Sequence, residues 1–232
     1  MRDRVDKALD LLPPEQHDKA GLEAIANVYK ESLYALAKSG LGFKDLAPKT
    51  HKPITQLLQN EGKRKLVCVP RGCLKSSIAC VAYPIWLLIN NPDLRILIDS
   101  ELWTNSATFI REIKLHLESP ELALLFGEFK GSTWNSDELI IKQRRKKLKE
   151  ASVTAGGVGT TKVGQHYDVI IHDDMNSPDN TNTVENATKV INHFKYNVSI
   201  LENQGTMVVI GTRYSEVDVI GHILQNEDVE MF

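Results

Sequence analysis

No apolar run in this 232-residue chain approaches the ~20 residues that span a bilayer. The first residues, MRDRVDKALDLLPPEQ, are charged from the start and do not read as a signal peptide. Cysteine is scarce. Cys68, Cys73 and Cys80 form no C-x-x-C pair, which excludes a disulfide framework and a zinc ribbon and reads as reduced thiols in an intracellular protein. Net charge is only -2, so the chain as a whole is no polycation, and partners must be sought in local charge patterns. Internal repeats and low-complexity segments are missing as well. What is present is ordinary: 42% hydrophobic and 25% charged residues, enough for one large domain with a real core.

Apolar spacing predicts a helix over 15–39, with Leu22, Ile25, Ala26, Tyr29, Leu33, Leu36 and Ala37 on one stripe and Gly40 and Gly42 ending it. Pro48 and Pro53 bracket a short connector, and ITQLLQN begins another helical turn or two. RKLVCVP, LRILIDS, YDVIIHDD and GTMVVIGTRY read as four buried strands. Between them run helical stretches: SSIACVAYPIWLLIN with Pro84 as a kink or first-turn residue, NSATFIREIKLHLESPELALLF, and TVENATKVINHFKYNVSILE. DELIIKQRRKKLKEASVTAGGVG reads as two strands around a basic turn, with AGGVGT (155–160) a mobile connector. Strands alternating with helices imply a mostly parallel α/β sheet covered on both faces.

The first strand runs into PRGCLKSS. The usual phosphate-loop pattern, G-x-x-x-x-G-K-[ST], fails here, because Val69 and Leu74 stand where the two glycines belong. The physical requirement is still met in outline. Backbone N–H groups and a helix start follow a strand, and Gly72 permits unusual backbone angles. Lys75 would reach phosphate oxygens, Ser76 would hold Mg2+, and Arg71 would reach the terminal phosphate or a backbone partner. The other reading, a capped helix with a solvated lysine, stays open on the loop alone.

Asp173 and Asp174 at the end of DVIIHDD weigh toward an NTPase. A carboxylate at a strand tip is placed to hold Mg2+, and a second acid beside it can orient the attacking water. A strand ending in an Asx turn is the plainer alternative. VVIGTRY then puts Gly211, Thr212 and Arg213 at another strand exit, the edge where such sheets bind ligands, although a strand exit with a surface arginine is the plainer reading of this motif alone.

Taken together, VPRGCLKSS, NPDLRILIDS, GGVGTTKVGQHYDVIIHDDM and VVIGTRYSEVDVIG resemble the N-terminal ATPase domain of the large terminase subunit, the DNA-packaging motor of tailed bacteriophages. The resemblance runs over about residues 50–224. It rests on an arginine four residues before the loop lysine, G-x-H-Y-D before a strand ending in D-D, and G-T-R-aromatic after the last strand. It implies an ASCE-type P-loop NTPase fold over 48–232, with a helical segment over 1–47. It also implies that the C-terminal nuclease domain of such proteins is absent from this chain. Nucleotide binding falls to Arg71, Gly72, Cys73, Leu74, Lys75, Ser76 and Ser77, and Mg2+ to Ser76 and Asp173. Catalysis falls to Asp174 with Asp173, Arg71 and Lys75, and coupling of ATP state to movement falls to Gly211, Thr212 and Arg213. Asp174 stands where many such proteins carry glutamate, one methylene longer. A basic finger acting in a neighbouring subunit would be Lys162. The implied cofactors are ATP and Mg2+. The implied partners are double-stranded DNA, a portal protein and a small terminase subunit, in a homo-oligomeric ring on the procapsid that is a monomer in isolation. The implied location is the host cytoplasm, at the portal during packaging and not in the mature virion.

KQRRKKLK (142–149) holds six cations in eight residues. Lys142, Arg144, Arg145, Lys146, Lys147 and Lys149 are candidates for sequence-independent contact with DNA phosphates, and no aromatic residue is interleaved for base stacking. A solvated hairpin tip is the plainer reading. Two other functions remain: a helicase-like nucleic-acid-dependent ATPase, and a nucleic-acid-binding protein whose NTPase site has decayed.

Overall fold

The computed structural model describes residues 19–160, 162, 164–213, 218–226 and 228–232. Residues 1–18, which include the start of the helix expected over 15–39, lie outside the described residues, as do Val163 and Tyr214 of the G-T-R-aromatic motif.

That helix is two pieces. α1 (Lys19–Glu31) ends at Ser32, whose extended backbone and hydroxyl cap the next piece, α2 (Leu33–Ala35), by accepting the Ala35 N–H. A π-turn, Leu36–Gly40, finishes it. The break leaves Leu33 N–H and Glu31 C=O without helical partners. The Gln59 carboxamide takes both, accepting from the first at 3.1 Å and donating to the second at 2.8 Å. Gln59 ends α3 (Pro48–Gln59), so the connector expected between Pro48 and Pro53 is itself helical. Pro48 fits the first turn, and Pro53 deprives only the carbonyl of Lys49, which lies in the exposed first turn where water can reach it.

β1 (Arg64–Cys68) leads through the loop at 69–74 into a π-helical segment, Ser77–Ala82, and then α4 (Tyr83–Asn90). The Tyr83 N–H reaches back to Ile78 O, five residues away. This wider turn immediately precedes Pro84, which has no N–H to give, so the helix carries its proline without a break. Then follow β2 (Ile96–Ser100), α5 (Trp103–Leu117), α6 (Pro120–Phe126), β3 (Lys130–Trp134), β4 (Glu138–Ile141), β5 (Val153–Gly157), β6 (Tyr167–Asp173), α7 (Val184–Ser199), β7 (Leu201–Gly211), α8 (Val219–Asn226) and β8 (Glu230–Met231).

The eight strands form one sheet in the order β3-β4-β5-β2-β6-β7-β1-β8. β5, β2, β6, β7, β1 and β8 run parallel, and β3 and β4 add an antiparallel edge. Apolar layers cover both faces. One packs Leu33, Leu36 and Ile54 with Ile78, Ile85 and Ile110 against Val67, Ile98 and Ile171. The helical segment before residue 48 therefore shares its core with the sheet. The other packs Val190 and Phe194 of α7 and Ile220 and Ile223 of α8 against Leu66, Leu97 and Ile170. Burial on both faces explains why the central strands read as continuous apolar runs.

AGGVGT is not the mobile connector expected. Ala155, Gly156 and Gly157 are buried in β5, paired with Ile98, Asp99 and Ser100 of β2. The glycines answer to crowding. A Cβ on Gly156 would stand 2.6 Å from Asp99 Oδ1, and one on Gly157 would stand 2.5 Å from the Trp103 backbone nitrogen.

Candidate functional site

Parallel strands bring their carboxyl ends to one edge of the sheet. Cys68 pairs with Gly211, Ser100 with both Gly157 and Asp173, and Asp173 with Ile210. β7 lies between β1 and β6. The loop after β1, the acid pair after β6 and Thr212 after β7 are thus neighbours by topology, and side chains close the remaining distance.

Two loop residues adopt left-handed backbone: Gly72 (φ 82°) and Leu74 (φ 51°). Leu74 occupies the place where the sequence pattern wants glycine. The loop keeps the glycine conformation without the glycine, at a cost of about 1–2 kcal/mol for an L-residue. Leu74 packs partly buried against the apolar layer, which offsets some of that cost. Alternation of backbone hand is what turns successive N–H groups toward one point.

Lys75 and Ser76 begin the helix that continues through the π-segment. Ser76 Oγ donates to Asp173 Oδ1 at 2.7 Å. Lys75, buried, points its Nζ at Asp174 Oδ2 (3.4 Å) and Thr212 Oγ1 (3.5 Å). Asp174 itself has φ 41°, and its N–H donates to Ile210 O. Its Oδ1 is buried and, among the described residues, has no hydrogen-bond partner. It lies over Gly211, whose added Cβ would come to 3.5 Å. A cavity of about 350 Å³ opens here, lined by Arg71, Gly72, Leu74, Lys75, Ser76, Ser77 and Asp174.

Burial pushes the Asp173 carboxyl up to about 6, and the Asp174 charge pushes the same way, against the Ser76 hydroxyl and the Lys75 ammonium, which pull it down. A carboxylate held this high has electrostatic room for a cation. Its hydroxyl neighbour completes a pair of hard oxygen donors, the set that suits a small divalent ion. Among the described residues no group of three or more His, Cys, Asp and Glu could hold a metal. Such an ion would take its other ligands from water and from a bound anion, as ions of this type do.

The structure therefore brings together Lys75, Ser76, Asp173, Asp174 and Thr212. Arg71 lines the same cavity, Cys73 is half-buried within the loop, and Arg213 is exposed just past Thr212. Lys162 is elsewhere. Gln165 N–H donates to Lys162 O at 3.1 Å, and Lys149 Nζ donates to Gly164 O at 2.9 Å. This puts Lys162 beside the basic turn, at the amino edge of the parallel strands. The basic turn does link β4 and β5, but it is no plain solvated tip. Asp93 Oδ1 accepts the N–H groups of both Arg145 and Lys146 at 2.8 Å. Arg144 is turned inward, donating to Glu150 O at 2.6 Å, with Nε and Nη2 buried. Arg144 thus leaves the set of exposed cations, which keeps Lys142, Arg145, Lys146, Lys147 and Lys149, with Lys142 held by Glu128 at 3.3 Å.

Two polar groupings at the carboxyl edge escaped the sequence reading. Asp99 is buried and accepts from His193 Nε2 and Asn197 Nδ2 of α7, both at 2.9 Å, and pairs with His172 Nδ1 at 3.2 Å. Burial raises its carboxyl, but the bonds from His172 and His193 prevail and leave it at about 2. Glu101, just past β2, accepts from Ser177 and Asn180. The signal was an acid inside the apolar run LRILIDS and a second one directly after it.

No family model matches the chain, and no curated protein matches it. Solved structures do. A complex of Saccharomyces cerevisiae Dbp5 with Nup159, Gle1, IP6 and ADP matches with a TM-score of 0.51 at 14% identity, over 86% of this chain and 52% of that one. A mutant of the Thermus phage P74-26 large terminase ATPase domain matches with a TM-score of 0.50 at 15% identity, over 77% of this chain and 69% of that one. Dbp5 bound to RNA and ADP BeF3 matches with a TM-score of 0.51 at 13% identity, over 85% and 49%. The chain spans about half the length of the Dbp5 chains. At these identities the likeness concerns fold alone: a mostly parallel α/β sheet with flanking helices, of the P-loop type that these neighbours share.

Proposed function

We propose that this chain is the ATP-hydrolysing motor domain of a large terminase subunit, driving double-stranded DNA into a procapsid. The observation that carries the ATPase reading is the 2.7 Å bond between Ser76 Oγ and Asp173 Oδ1. It joins the loop after β1 to the acid pair after β6, with Lys75 aimed between Asp174 and Thr212. The terminase reading rests on Arg71 four residues before Lys75, on GQHYD before the acid strand, on GTRY after β7, and on the likeness to the phage domain.

In this reading the left-handed pair Gly72 and Leu74 turns backbone N–H groups toward the ATP phosphates, and Lys75 and Arg71 neutralise them. Ser76 and Asp173 would hold Mg2+, which would supply positive charge against the phosphate oxygens. Asp174 orients the attacking water and accepts its proton. Being shorter than glutamate, it works at closer range, and its φ of 41° sets the direction of the carboxylate. Thr212, 3.5 Å from Lys75, gives β7 a contact with the phosphate region, through which Gly211 to Arg213 would transmit hydrolysis to movement. Portal protein, small terminase subunit and a ring of copies are the partners this reading requires. Lys162, lying with the basic turn, serves as a trans-acting finger only if that edge faces a neighbour's site. The domain division at residue 48 belongs to the same reading.

Exposed Arg145, Lys146, Lys147 and Lys149 are the proposed grip on DNA phosphates. Each neutralised phosphate contributes about -0.9 to the slope of log K against log salt. Replacing the four by Ala should flatten the slope by up to about three to four units, with DNA-free ATPase unchanged. An unchanged slope would remove the turn from the DNA path.

The deciding experiment is ATP turnover with and without double-stranded DNA, single-stranded DNA or RNA. Stimulation by duplex DNA supports the motor. The likeness to Dbp5 favours a second reading, a helicase-like ATPase, and stimulation by RNA or single strands alone would select it. No turnover under any condition would leave a nucleic-acid-binding protein with a decayed site.

A further inference from the structure

We propose that Glu101 is a positioning residue for Asp174, gripping the segment that carries the acid pair from the tip of the neighbouring strand. The inference rests on the reading of Asp174 as the group that orients water.

β2 ends at Ser100, which is in register with Asp173. Glu101 is therefore the first residue beyond the sheet edge on the strand beside the acid pair. Its Oε1 accepts from Ser177 Oγ at 2.5 Å and from Asn180 Nδ2 at 3.2 Å. The same Asn180 Nδ2 donates to Met175 O at 2.8 Å. Ser177 N–H donates to Asn180 Oδ1 at 2.8 Å, and Asn180 N–H to Ser177 Oγ at 3.2 Å. These bonds close residues 175–180 on themselves, and Glu101 fastens the closed segment to β2. Both bonds converge on the one Oε1, so Glu101 is the point at which the closed segment is fastened.

Asp174 sits directly before this segment in a left-handed conformation, which a non-glycine residue keeps only where its surroundings impose it. On one side its own N–H is held by Ile210 O of β7. On the other side the chain passes at once into the Glu101 clamp. Asp99, two residues before Glu101, holds α7 through His193 and Asn197. One strand thus anchors the 174–197 stretch both near its start and near its end. Glu101, unlike Asp99, is only half-buried, so it can be changed without opening the core. Release of Glu101 would leave Lys75 and Ser76 in place and let Asp174 swing. Turnover should suffer and binding should not.

The test compares Glu101→Ala and Glu101→Gln with the wild type in steady-state ATPase and nucleotide-binding titrations, and in hydrogen exchange over residues 174–181. Glu101→Ala should lower kcat on the order of 10- to 100-fold, the scale for a misplaced catalytic group, with KM and Kd within about twofold. Glu101→Gln keeps an Oε1 acceptor for both bonds and should stay within about threefold of wild type. Exchange in 174–181 should quicken in the Ala variant alone. Ser177→Ala combined with Asn180→Ala, which removes the partners instead, should reproduce the fall in kcat. Wild-type kcat in Glu101→Ala would overturn the proposal. So would equal loss of kcat and Kd, which marks general loosening of the fold, and so would a Gln variant as poor as Ala, which assigns a role to the charge itself. A wild-type chain without turnover would refute the reading of the site. In that case the exchange data still decide whether Glu101 holds the segment: unchanged exchange in Glu101→Ala overturns the clamp as well.

Discussion

The two edges of the sheet carry the same kinds of charged residue and treat them in opposite ways. At the amino edge, Arg95 makes a two-nitrogen contact with Asp168 (Nη2 to Oδ1 at 2.9 Å, Nε to Oδ2 at 3.0 Å), reaches Glu202 at 2.8 Å and approaches Glu150 at 3.6 Å. The pairing with Asp168 drives the Arg95 guanidinium above its ordinary value, while burial alone would lower it. Asp168 and Glu150 are held below theirs despite burial, Asp168 by the Arg95 bonds and Glu150 chiefly by the His166 N–H. At the carboxyl edge, Lys75 reaches its acid only at 3.4 Å, Asp174 keeps a buried oxygen without a partner among the described residues, and Asp173 is pushed up to about 6. A satisfied network holds a structure together. An unsatisfied one, built at some cost to stability, is what a ligand can complete. The difference between the surroundings of Arg95 and those of Asp173 and Asp174 supports the proposal that the carboxyl edge is the working site.

The contrast breaks most sharply at Lys75. Lys75→Ala should lower ATP turnover by at least about 10²- to 10³-fold, the scale for losing one donor to developing charge, while far-UV circular dichroism stays native. Turnover at the wild-type rate would mean the unsatisfied edge is not the site. Arg95→Ala is the matched change at the other edge. Leaving Asp168, Glu150 and Glu202 without their shared cation should cost about 3 kcal/mol in urea unfolding, with nucleotide affinity unaltered. A loss of affinity instead would show that the two edges are coupled.

A third, smaller effect follows from Asp173. Its folded value of about 6 lies above the ~3.9 of an unfolded aspartate. Between about pH 4 and 6 the folded chain therefore binds the extra proton, and stability falls as pH rises through that window, by about 2–3 kcal/mol in all. Asp173→Asn keeps an acceptor for Ser76 and loses this slope. It should match wild type near pH 4 and exceed it above pH 6 in EDTA, while losing hydrolysis. Parallel stability curves for the two proteins would contradict the raised value. The smallest effect belongs to Leu74→Gly. Relief of the left-handed leucine, about 1 kcal/mol, is opposed by lost packing and by greater freedom in the unfolded chain. Net stability should move by less than about 1 kcal/mol, with turnover retained. Abolished turnover would mean the leucine side chain, not the backbone hand, is what the loop needs.

The strands were legible because burial on both faces writes them as apolar runs, and because their exits carry the residues that matter: Lys75 and Ser76, Asp173 and Asp174, Thr212. What escaped depends on partners far along the chain. The break at Ser32 is sealed by Gln59, and β5 accepts glycines because Asp99 and Trp103 crowd it. Arg144 turns inward because the Glu150 carbonyl is there to receive it. Leu74 shows the same limit inside a motif. The pattern looks for glycine, whereas the fold demands a backbone hand, and a leucine packed against the core can supply it. Glu101 went unnoticed because an acid after a strand has no meaning until Ser177 and Asn180 are brought beside it.

Lys75 and Asp174 also act as an internal ligand pair. Under the proposed function, a phosphate that draws the lysine away competes with the carboxylate now 3.4 Å from it, so apparent affinity would be intrinsic affinity scaled by the fraction of molecules in which the lysine is already released. The displaced acid is the one assigned to water. Under the proposed function, arrival of substrate and liberation of its base would then be a single exchange.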